Sequence, residues 1–368
     1  MTAEGPARRS AIPIGALGLV LLATGFLLDG EPLLVAGCAL VLLAGTCLVW
    51  VVLAARGLEI TRTVDERRIV ENEPLGVSIR VRSRIAWPGG SVDDSLLPEP
   101  APLPELERSA RVRIAVRFQR RGMRELPPPA AVVADPLGLA LRRVSADEPA
   151  HVLVLPSTFP VVAASTAPGD GRTVGLESLA TGAAATEFDG LGPYTEGAPA
   201  ARIHWPALAR GAGLLEKRLR PEGDARPLVV LDARAPASDE ALDAAVRAAA
   251  SLVREIARSG GCGVLLPGER RPRIVERDLA GWATVHARLA LVEAGPAPAL
   301  GALGGRRGPV LFVAARPLRR PPATVARSAG GSCVLVTPGA PSGRGTLFTV
   351  AGCSGVLVRG RARVGAAA

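Results

Sequence analysis

The stretch PLVVLDARAPASDEALDAAVRAAASLVREIARSGG, residues 227–261, decides the fold of the carboxyl-terminal part of the chain. Its first apolar run is short and continuous, which is typical of a strand that is buried on both faces. Ser238 then provides a plausible N-cap, acidic residues follow it, apolar residues recur at helical spacing, and a Gly pair ends the pattern. Similar strands and helices alternate after it, in GVLLP, GWATVHARLALVEAG, PVLFVAAR, PPATVARSAGG and SCVLVTPG. Residues 227–368 are therefore predicted to form an α/β domain with a mostly parallel sheet.

The amino-terminal part contains two long uncharged apolar runs, residues 11–28 and 33–55, which the residues DGEP separate. Each run is close to the ~20 residues that a transmembrane helix needs. A cleavable signal peptide is disfavoured because the second run follows the first so closely. Residues 1–55 are therefore predicted to form a transmembrane helical hairpin in the lipid bilayer. Arg residues flank its outer ends and acidic residues lie in its loop, so the positive-inside rule predicts an inner (plasma) membrane protein whose termini and soluble domains are cytoplasmic.

Residues 56–156 show the alternation that is typical of half-buried antiparallel strands. Apolar residues alternate with Arg and other residues in LGVSIRVRS (75–83) and in RVRIAVRFQ (111–119), and HVLVLP (151–156) is a further strand. This region is predicted to be a small antiparallel β-sandwich. Residues 157–226 are predicted to hold a flexible linker and a distinct segment before the α/β domain begins.

The formal net charge is +10, and Lys217 is the only Lys, so nearly all cationic residues are Arg. A basic balance is typical of proteins that bind nucleic acid or anionic membranes. Acidic residues are interspersed, however, and the few aromatic residues do not alternate with Arg, which favours a solvated surface and disfavours nucleic acid. Binding of anionic lipid or another polyanion by the Arg-rich β segment at 111–124 stays as an alternative. The five Cys show neither zinc-site spacing nor a disulfide framework.

The segment EFDGLGPYTEGAPAARIHWPALARGAGLLEKRLRPE, residues 187–222, concentrates residue types that are rare elsewhere in the chain. It holds the only Tyr and the only Lys, together with a Trp and a His. We name it the signature segment. Its candidate interaction residues are Tyr194, Gly197, Arg202, His204, Trp205, Arg210, Arg218 and Glu222.

The spacing of these residues resembles the motif of the bacterial "domain of unknown function 58" family, and a second, shorter match lies at 120–143. The resemblance covers almost the whole chain. It implies an α+β multidomain protein with a two-helix transmembrane hairpin, a small β-rich domain and a von Willebrand factor A-like (Rossmann-like) α/β domain. It also implies that a MoxR-type AAA+ ATPase is the partner, in chaperone-like maturation of other proteins. No cofactor is predicted. Ala198 stands where the family often has an acidic residue, and Pro206 stands where it often has Lys.

Two interpretations of the signature segment stay open. Tyr194 and Trp205 are large amphipathic side chains that can pin a loop to a domain face. Arg202, Arg210 and Arg218 offer guanidinium donors that can hold carboxylates or carbonyls. The segment is then either a conformational clasp between domains or a docking site for a partner.

Enzymatic activity is disfavoured by the sequence. It contains no G-x-S-x-G or H-E-x-x-H motif, and its His residues, at 151, 204 and 286, are far apart. A von Willebrand factor A-like domain that binds magnesium carries D-x-S-x-S after its first strand, where hydroxyl and carboxylate oxygens bind the ion. Here Asp232 is present, but Arg234 and Pro236 replace the two Ser. A metal-free domain is predicted, and a metal-dependent ligand-binding domain that uses Asp232 is the alternative.

These observations lead to one hypothesis. The chain is expected to be a membrane-anchored, cytoplasm-facing interaction or scaffold protein without enzymatic activity. Its α/β domain is expected to bind an AAA+ ATPase or a client of that ATPase.

Overall fold

The computed structural model describes residues 11–163, 187–194, 203–211, 213–220, 226–303, 308–328, 332–339 and 345–359. The chain separates into two compact units. The first comprises Met1–Gln119 with Met123–Val154, and the second comprises Arg120–Gly122 with Leu155–Ala368. The secondary structure is mixed α+β, with an apolar amino-terminal helix and several sheets, which confirms the predicted class at this level.

The first unit begins with two apolar helices, α1 (Ala11–Leu27) and α2 (Glu31–Arg56). They pack closely because glycines face the partner helix: a Cβ added to Gly37 would lie 2.7 Å from the carbonyl oxygen of Gly18. Among the described residues, α2 is the one helix whose length and composition suffice to cross a membrane, since α1 has 17 residues.

The last turns of α2 pack on protein. Val51 and Ala54 are fully buried and belong to the core that the strands of the unit form. The indole N–H of Trp50 donates to the carbonyl of Ala86 at 2.8 Å. The predicted span 33–55 therefore includes a carboxyl-terminal part that the β strands cover, because its small and apolar residues fit against them.

The strands of the first unit form three small sheets. Their orders are β1-β3-β6, β5-β4-β8-β9 and β2-β10-β7. The pairs in the first two sheets are antiparallel, as the alternation predicted. The strands are β1 (Glu59–Val64), β2 (Arg68–Val70), β3 (Pro74–Arg82), β4 (Gly90–Asp93), β5 (Ala101–Pro102), β6 (Ser109–Arg117), β7 (Gly122–Leu126), β8 (Ala130–Ala134), β9 (Leu141–Ser145) and β10 (Ala150–Leu155).

One buried guanidinium joins the three sheets. Arg62, on β1, donates from Nη1 to Asp94 Oδ2 at 3.1 Å, and the side chains are only 3% and 0% exposed. Arg62 also donates to the carbonyls of Leu126 and Pro127, both at 2.7 Å. Because Asp94 follows β4 and Leu126 ends β7, one side chain contacts elements of all three sheets.

The turn between β8 and β9 contacts the helices. The backbone N–H of Ala11, the first residue of α1, donates to the carbonyl of Leu139 at 2.9 Å. Asp135 is buried and accepts the N–H groups of Leu139 and Ala140, so the turn is held from within. Leu137 at its tip is 60% exposed.

The second unit contains an eight-stranded sheet of order β11-β19-β20-β18-β17-β14-β15-β16 and a two-stranded sheet of β12 and β13. Its strands are β11 (Val162–Ala163), β12 (Glu187–Pro193), β13 (Leu215–Arg220), β14 (Leu228–Asp232), β15 (Cys262–Leu265), β16 (Arg273–Val275), β17 (Val310–Ala314), β18 (Ser332–Pro338), β19 (Thr346–Val350) and β20 (Cys353–Arg359). Its helices are α3 (Trp205–Ala209), α4 (Asp239–Gly260), α5 (Trp282–Ala290) and α6 (Ala323–Ser328), with a short 3₁₀ helix at Leu300–Leu303.

The centre of the large sheet is parallel, because β14 pairs in parallel with β15 and β17, and β17 with β18. The outer strands β11, β16, β19 and β20 pair antiparallel. The sheet is thus mixed, and the mostly parallel prediction holds only for its centre. The missed hairpin of β19 and β20 turns at Ala351 and Gly352, which both have positive φ, as two-residue hairpin loops require.

Helix α4 covers one face of the large sheet. The Ser238 side chain accepts the N–H of Ala241 at 3.2 Å, which confirms the predicted N-cap, and Gly261 ends the helix with φ of 90°. Leu252, Val253 and Ile256 are buried in the core beneath it. The helix therefore packs on the sheet in which strand β14 ends at Asp232.

Candidate functional site

The signature segment forms a small hairpin with a helical insertion. Strands β12 and β13 pair antiparallel, with Leu191 opposite Lys217 and Pro193 opposite Leu215. Helix α3 lies between them in sequence, and the bridge between Ile203 and Glu216 joins its start to β13. The hairpin therefore positions the short helix at its end.

His204 has a structural role at the start of α3. Its Nδ1 accepts the N–H of Ala207 at 3.2 Å, and its own backbone N–H donates to Leu215 at 2.9 Å. The N–H of Ala207 also donates to the carbonyl of His204 at 3.0 Å, so the imidazole is a second acceptor for this N–H at the helix start, and these contacts account for a His here without chemistry. Helix α3 begins at Trp205, and Pro206 is its second residue, where the missing N–H costs little.

Three further candidate residues lie on β13 or directly after β12 and α3. Tyr194 follows β12, and its backbone N–H donates to Leu214 at 3.1 Å. Arg210 ends α3, where its backbone N–H donates to the carbonyl of Ala207 at 3.1 Å. Arg218 lies on β13 opposite Gly190. The remaining three candidates, Gly197, Arg202 and Glu222, lie outside the described residues.

Trp205 is 57% exposed. The expectation that it pins a loop to a domain face does not match this exposure within the described part of the chain. Leu191, Leu208 and Leu214 of the same segment are also about 40% exposed, at 41%, 39% and 40%. The signature segment therefore exposes four large apolar side chains, those of Trp205 and the three Leu, which we name together the apolar surface.

Asp232 is the second candidate, and the structure places a guanidinium on it. Arg234 donates from Nε to Asp232 Oδ1 at 2.8 Å and from Nη2 to Oδ2 at 2.9 Å, and its backbone N–H donates to Oδ1 at 3.1 Å. The Asp232 side chain is fully buried. The hydrogen bonds with Asp232 raise the pKa of Arg234 above its usual range, so Arg234 keeps its positive charge at physiological pH.

Arg316 completes this group, and the sequence analysis did not identify it. It lies just after β17, with Nη2 at 3.6 Å from Asp232 Oδ2, and its Nη1 donates to the carbonyl of Arg234 at 3.1 Å. A signal existed, because ligand-binding residues in such sheets follow the carboxyl ends of neighbouring strands. If β14 and β17 are taken as neighbouring strands, Arg316 is expected close to Asp232.

A magnesium ion does not fit these residues. The two hydroxyl ligands are replaced by Arg234 and Pro236, and both Asp232 oxygens already accept from a cation. Across the described residues, no group of three His, Cys, Asp or Glu side chains could hold a metal ion.

The Arg-rich stripe of the first unit is partly engaged within its own sheet. Arg111 donates from Nε to Ser78 Oγ at 2.7 Å, and Arg117 donates to the carbonyl of Asn72. The outward alternation of Arg on β6 matches a solvated sheet face.

Comparison with known proteins gives little. No protein-family profile and no curated protein matches the chain. Five chains of solved structures are similar to it. A crystal structure of a Niemann-Pick type C2 protein from Japanese carpenter ant is 12% identical, covers 26% of this chain and 89% of that chain, and has a TM-score of 0.16. Cwp6 from Clostridium difficile is 10% identical, covers 69% of this chain and 33% of that chain, and has a TM-score of 0.15.

Proposed function

We propose that this chain is a membrane-anchored interaction protein without enzymatic activity, whose signature segment docks on a MoxR-type AAA+ ATPase. The proposed partner comes from the resemblance of the signature segment to the "domain of unknown function 58" family. The observation that supports docking over an internal clasp is the exposure of Trp205. Large exposed aromatic side chains are enriched among the residues that contribute most to protein–protein binding.

The proposed anchor consists of both apolar helices, and the two termini, the strands of the first unit and the second unit lie in the cytoplasm. The apolar character of α2 supports it, as do the close contacts between α1 and α2. The Arg residues that flank the two runs support the orientation.

We also infer that the second unit is von Willebrand factor A-like. The parallel strands lie in the order β15-β14-β17-β18, which is 2-1-3-4 when counted from β14, and this order is typical of doubly wound sheets. The metal-dependent alternative is disfavoured because Arg234 occupies both oxygens of Asp232. The polyanion alternative is disfavoured because Arg111 and Arg117 bond within their own sheet.

A pull-down tests the docking proposal. The tagged full-length protein is purified in gentle detergent with ATP and with a non-hydrolysable analogue, and captured proteins are identified by mass spectrometry. Trp205→Ala removes the largest and most exposed side chain of the apolar surface. Ile274→Ala is the matched control, since Ile274 is a 48% exposed apolar residue elsewhere in the same unit.

We expect wild type and Ile274→Ala to capture an AAA+ ATPase in a nucleotide-dependent manner. Trp205→Ala should bind about thirtyfold more weakly, because a Trp hot spot contributes roughly 2 kcal/mol. If Trp205→Ala captures as much ATPase as wild type, the signature segment is not part of the interface. If no ATPase is captured with any nucleotide, the partner proposal fails.

A further inference from the structure

The group of Asp232, Arg234 and Arg316 lies at the switch point of the large sheet. From β14 the chain continues to β15 on one side, and later returns to β17 on the other side of β14. Asp232 is the last residue of β14 and pairs with Ala314, the last residue of β17. In open α/β sheets, the crevice beyond the carboxyl ends of such a strand pair is the usual ligand site.

The two guanidiniums at this place are held in fixed positions and remain partly open to solvent. Arg234 is held by its two bonds to Asp232, and Arg316 is held by the carbonyl of Arg234. Their side chains are nevertheless 36% and 29% exposed. A guanidinium has five N–H donors, so both retain donors that point to no acceptor in the described part of the chain.

The charge at this edge is not balanced. Two guanidiniums contact one carboxylate, Asp232, which leaves a net positive charge among the three groups. The loop after β17 adds Arg319 and Arg320, which are both exposed. From residue 294 to residue 368 the sequence contains no Asp or Glu, so the half of the sheet that follows β17 brings no acidic residue to this edge.

These features select an anion. Divalent cations are disfavoured because both oxygens of Asp232 already accept from Arg234 and the two guanidiniums repel a cation. A planar guanidinium with free parallel donors matches the two oxygens of a carboxylate, with hydrogen bonds that are stronger than neutral ones. Asp232 therefore orients the arginines, and a second carboxylate can occupy the position in front of them.

We propose that Arg234 and Arg316 form an oxyanion-binding site whose ligand is an Asp or Glu side chain in an acidic protein segment. The site takes the place that a metal ion would have in a von Willebrand factor A-like domain, and it recruits a carboxylate directly. That the acidic segment belongs to the ATPase or its client rests on the function proposed above. The site itself does not depend on that function.

Fluorescence anisotropy on the purified full-length protein in non-ionic detergent tests this proposal. The probe is a fluorescein-labelled peptide of alternating Glu and Gly, and the matched probe carries Gln in place of Glu. Arg316→Gln removes a guanidinium that, among the described residues, contacts only the carbonyl of Arg234 and, at 3.6 Å, Asp232 Oδ2. Because Arg234 still pairs with Asp232 in this variant, we expect folding to be preserved. Arg234→Gln with Asp232→Asn removes the ion pair together and leaves no unpaired buried charge.

The control is Arg258→Gln, which removes the same charge from an exposed position in the last turn of α4. We expect the Glu peptide to bind, the Gln peptide not to bind, and Arg316→Gln and the double variant to weaken binding about tenfold or more. Arg258→Gln should stay within about twofold of wild type, since exposed charges at a distance are screened. Millimolar Mg²⁺ should leave the affinity unchanged.

Several results would overturn the proposal. They are no binding of the Glu peptide, equal binding of the Gln peptide, or an equal loss in Arg258→Gln, which would indicate general charge attraction. If inorganic phosphate binds and the Glu peptide does not, the ligand is a phosphate and not a carboxylate. If the Glu peptide binds but no ATPase is captured, the proposed partner is wrong and the anion site is supported. If an ATPase is captured but the Glu peptide does not bind, the anion site is wrong and the proposed partner is supported.

Discussion

The ion pair of Arg62 and Asp94 leads to a sharp prediction about the first unit. Arg62→Leu keeps a similar apolar volume but removes the guanidinium that contacts elements of three sheets. Asp94 would keep its bond from the N–H of Leu96 at 2.9 Å, yet its carboxylate would remain buried without a cation. Removing one partner of a buried pair costs about 3–5 kcal/mol, so we expect roughly 4 kcal/mol.

Hydrogen exchange measured by mass spectrometry is the suitable assay, since a chain of two units need not unfold in one step. The peptides of interest cover β3, in which the stretch from Val77 to Arg82 pairs with the whole of β1. A loss of roughly 4 kcal/mol accelerates exchange of its protected amides about a thousandfold.

The control for Arg62→Leu is a neighbouring ion pair on the surface. Arg143 and Asp93 lie 2.8 Å apart but are 48% and 42% exposed. Exposed pairs contribute at most about 1 kcal/mol, so Arg143→Leu should accelerate exchange by less than about fivefold. Similar effects of Arg62→Leu and Arg143→Leu would refute the argument from burial. If Arg62→Leu with Asp94→Leu costs as much as Arg62→Leu alone, the unpaired carboxylate is not the cause.

Three further predictions concern the helices, the thiols and the bilayer. Gly37→Val should lower the melting temperature by about 5 °C, because its Cβ would meet α1 at 2.7 Å, whereas Gly45→Val, with nothing within 4 Å, should change it by about 1 °C or less. Burial raises the pKa of Cys333 and of Cys353 to about 12, so at pH ~8 both thiols should resist iodoacetamide until the protein unfolds; peptide mass spectrometry that finds fast native labelling would contradict this. A fluorophore can be attached at position 137 through Leu137→Cys, in a variant without the exposed thiol of α2. Brominated lipids should quench it, because this turn contacts the first residue of α1. If they quench a label on α1 but not the label at position 137, the turn lies away from the bilayer.

Elements with a strong local pattern could be predicted from the sequence. Helix α4 combines a Ser cap, a long apolar face and a Gly stop, and the structure has each of them. The central strands are buried on both faces, so they are continuous apolar runs, and β3 alternates because only one of its faces is fully buried. In each case the residues that decide the structure lie within one element.

Features that depend on distant residues could not be predicted in the same way. The core position of Val51 depends on strands far along the chain, and an apolar run has the same composition whether lipid or protein covers it. The exposure of Trp205 depends on how the hairpin and α3 are arranged, while its residue type suggested burial. The β19–β20 hairpin was missed because its two-residue turn places Ala351 at positive φ, and an Ala at that position gives no hairpin signal.

The group of Asp232, Arg234 and Arg316 contains one contact that is local in sequence and one that depends on distant residues. The pairing of Asp232 with Arg234 is local, since two residues that follow a strand are close in any fold, and the sequence indicated it. The approach of Arg316 requires that β17 lie beside β14, which only the topology gives. This difference matters for function, because one arginine on one carboxylate is a neutral pair, whereas the second arginine leaves a positive charge that is free to attract a ligand. A loss of metal-binding hydroxyls alone would make the edge inert, and it is Arg316 that makes anion binding the stronger hypothesis.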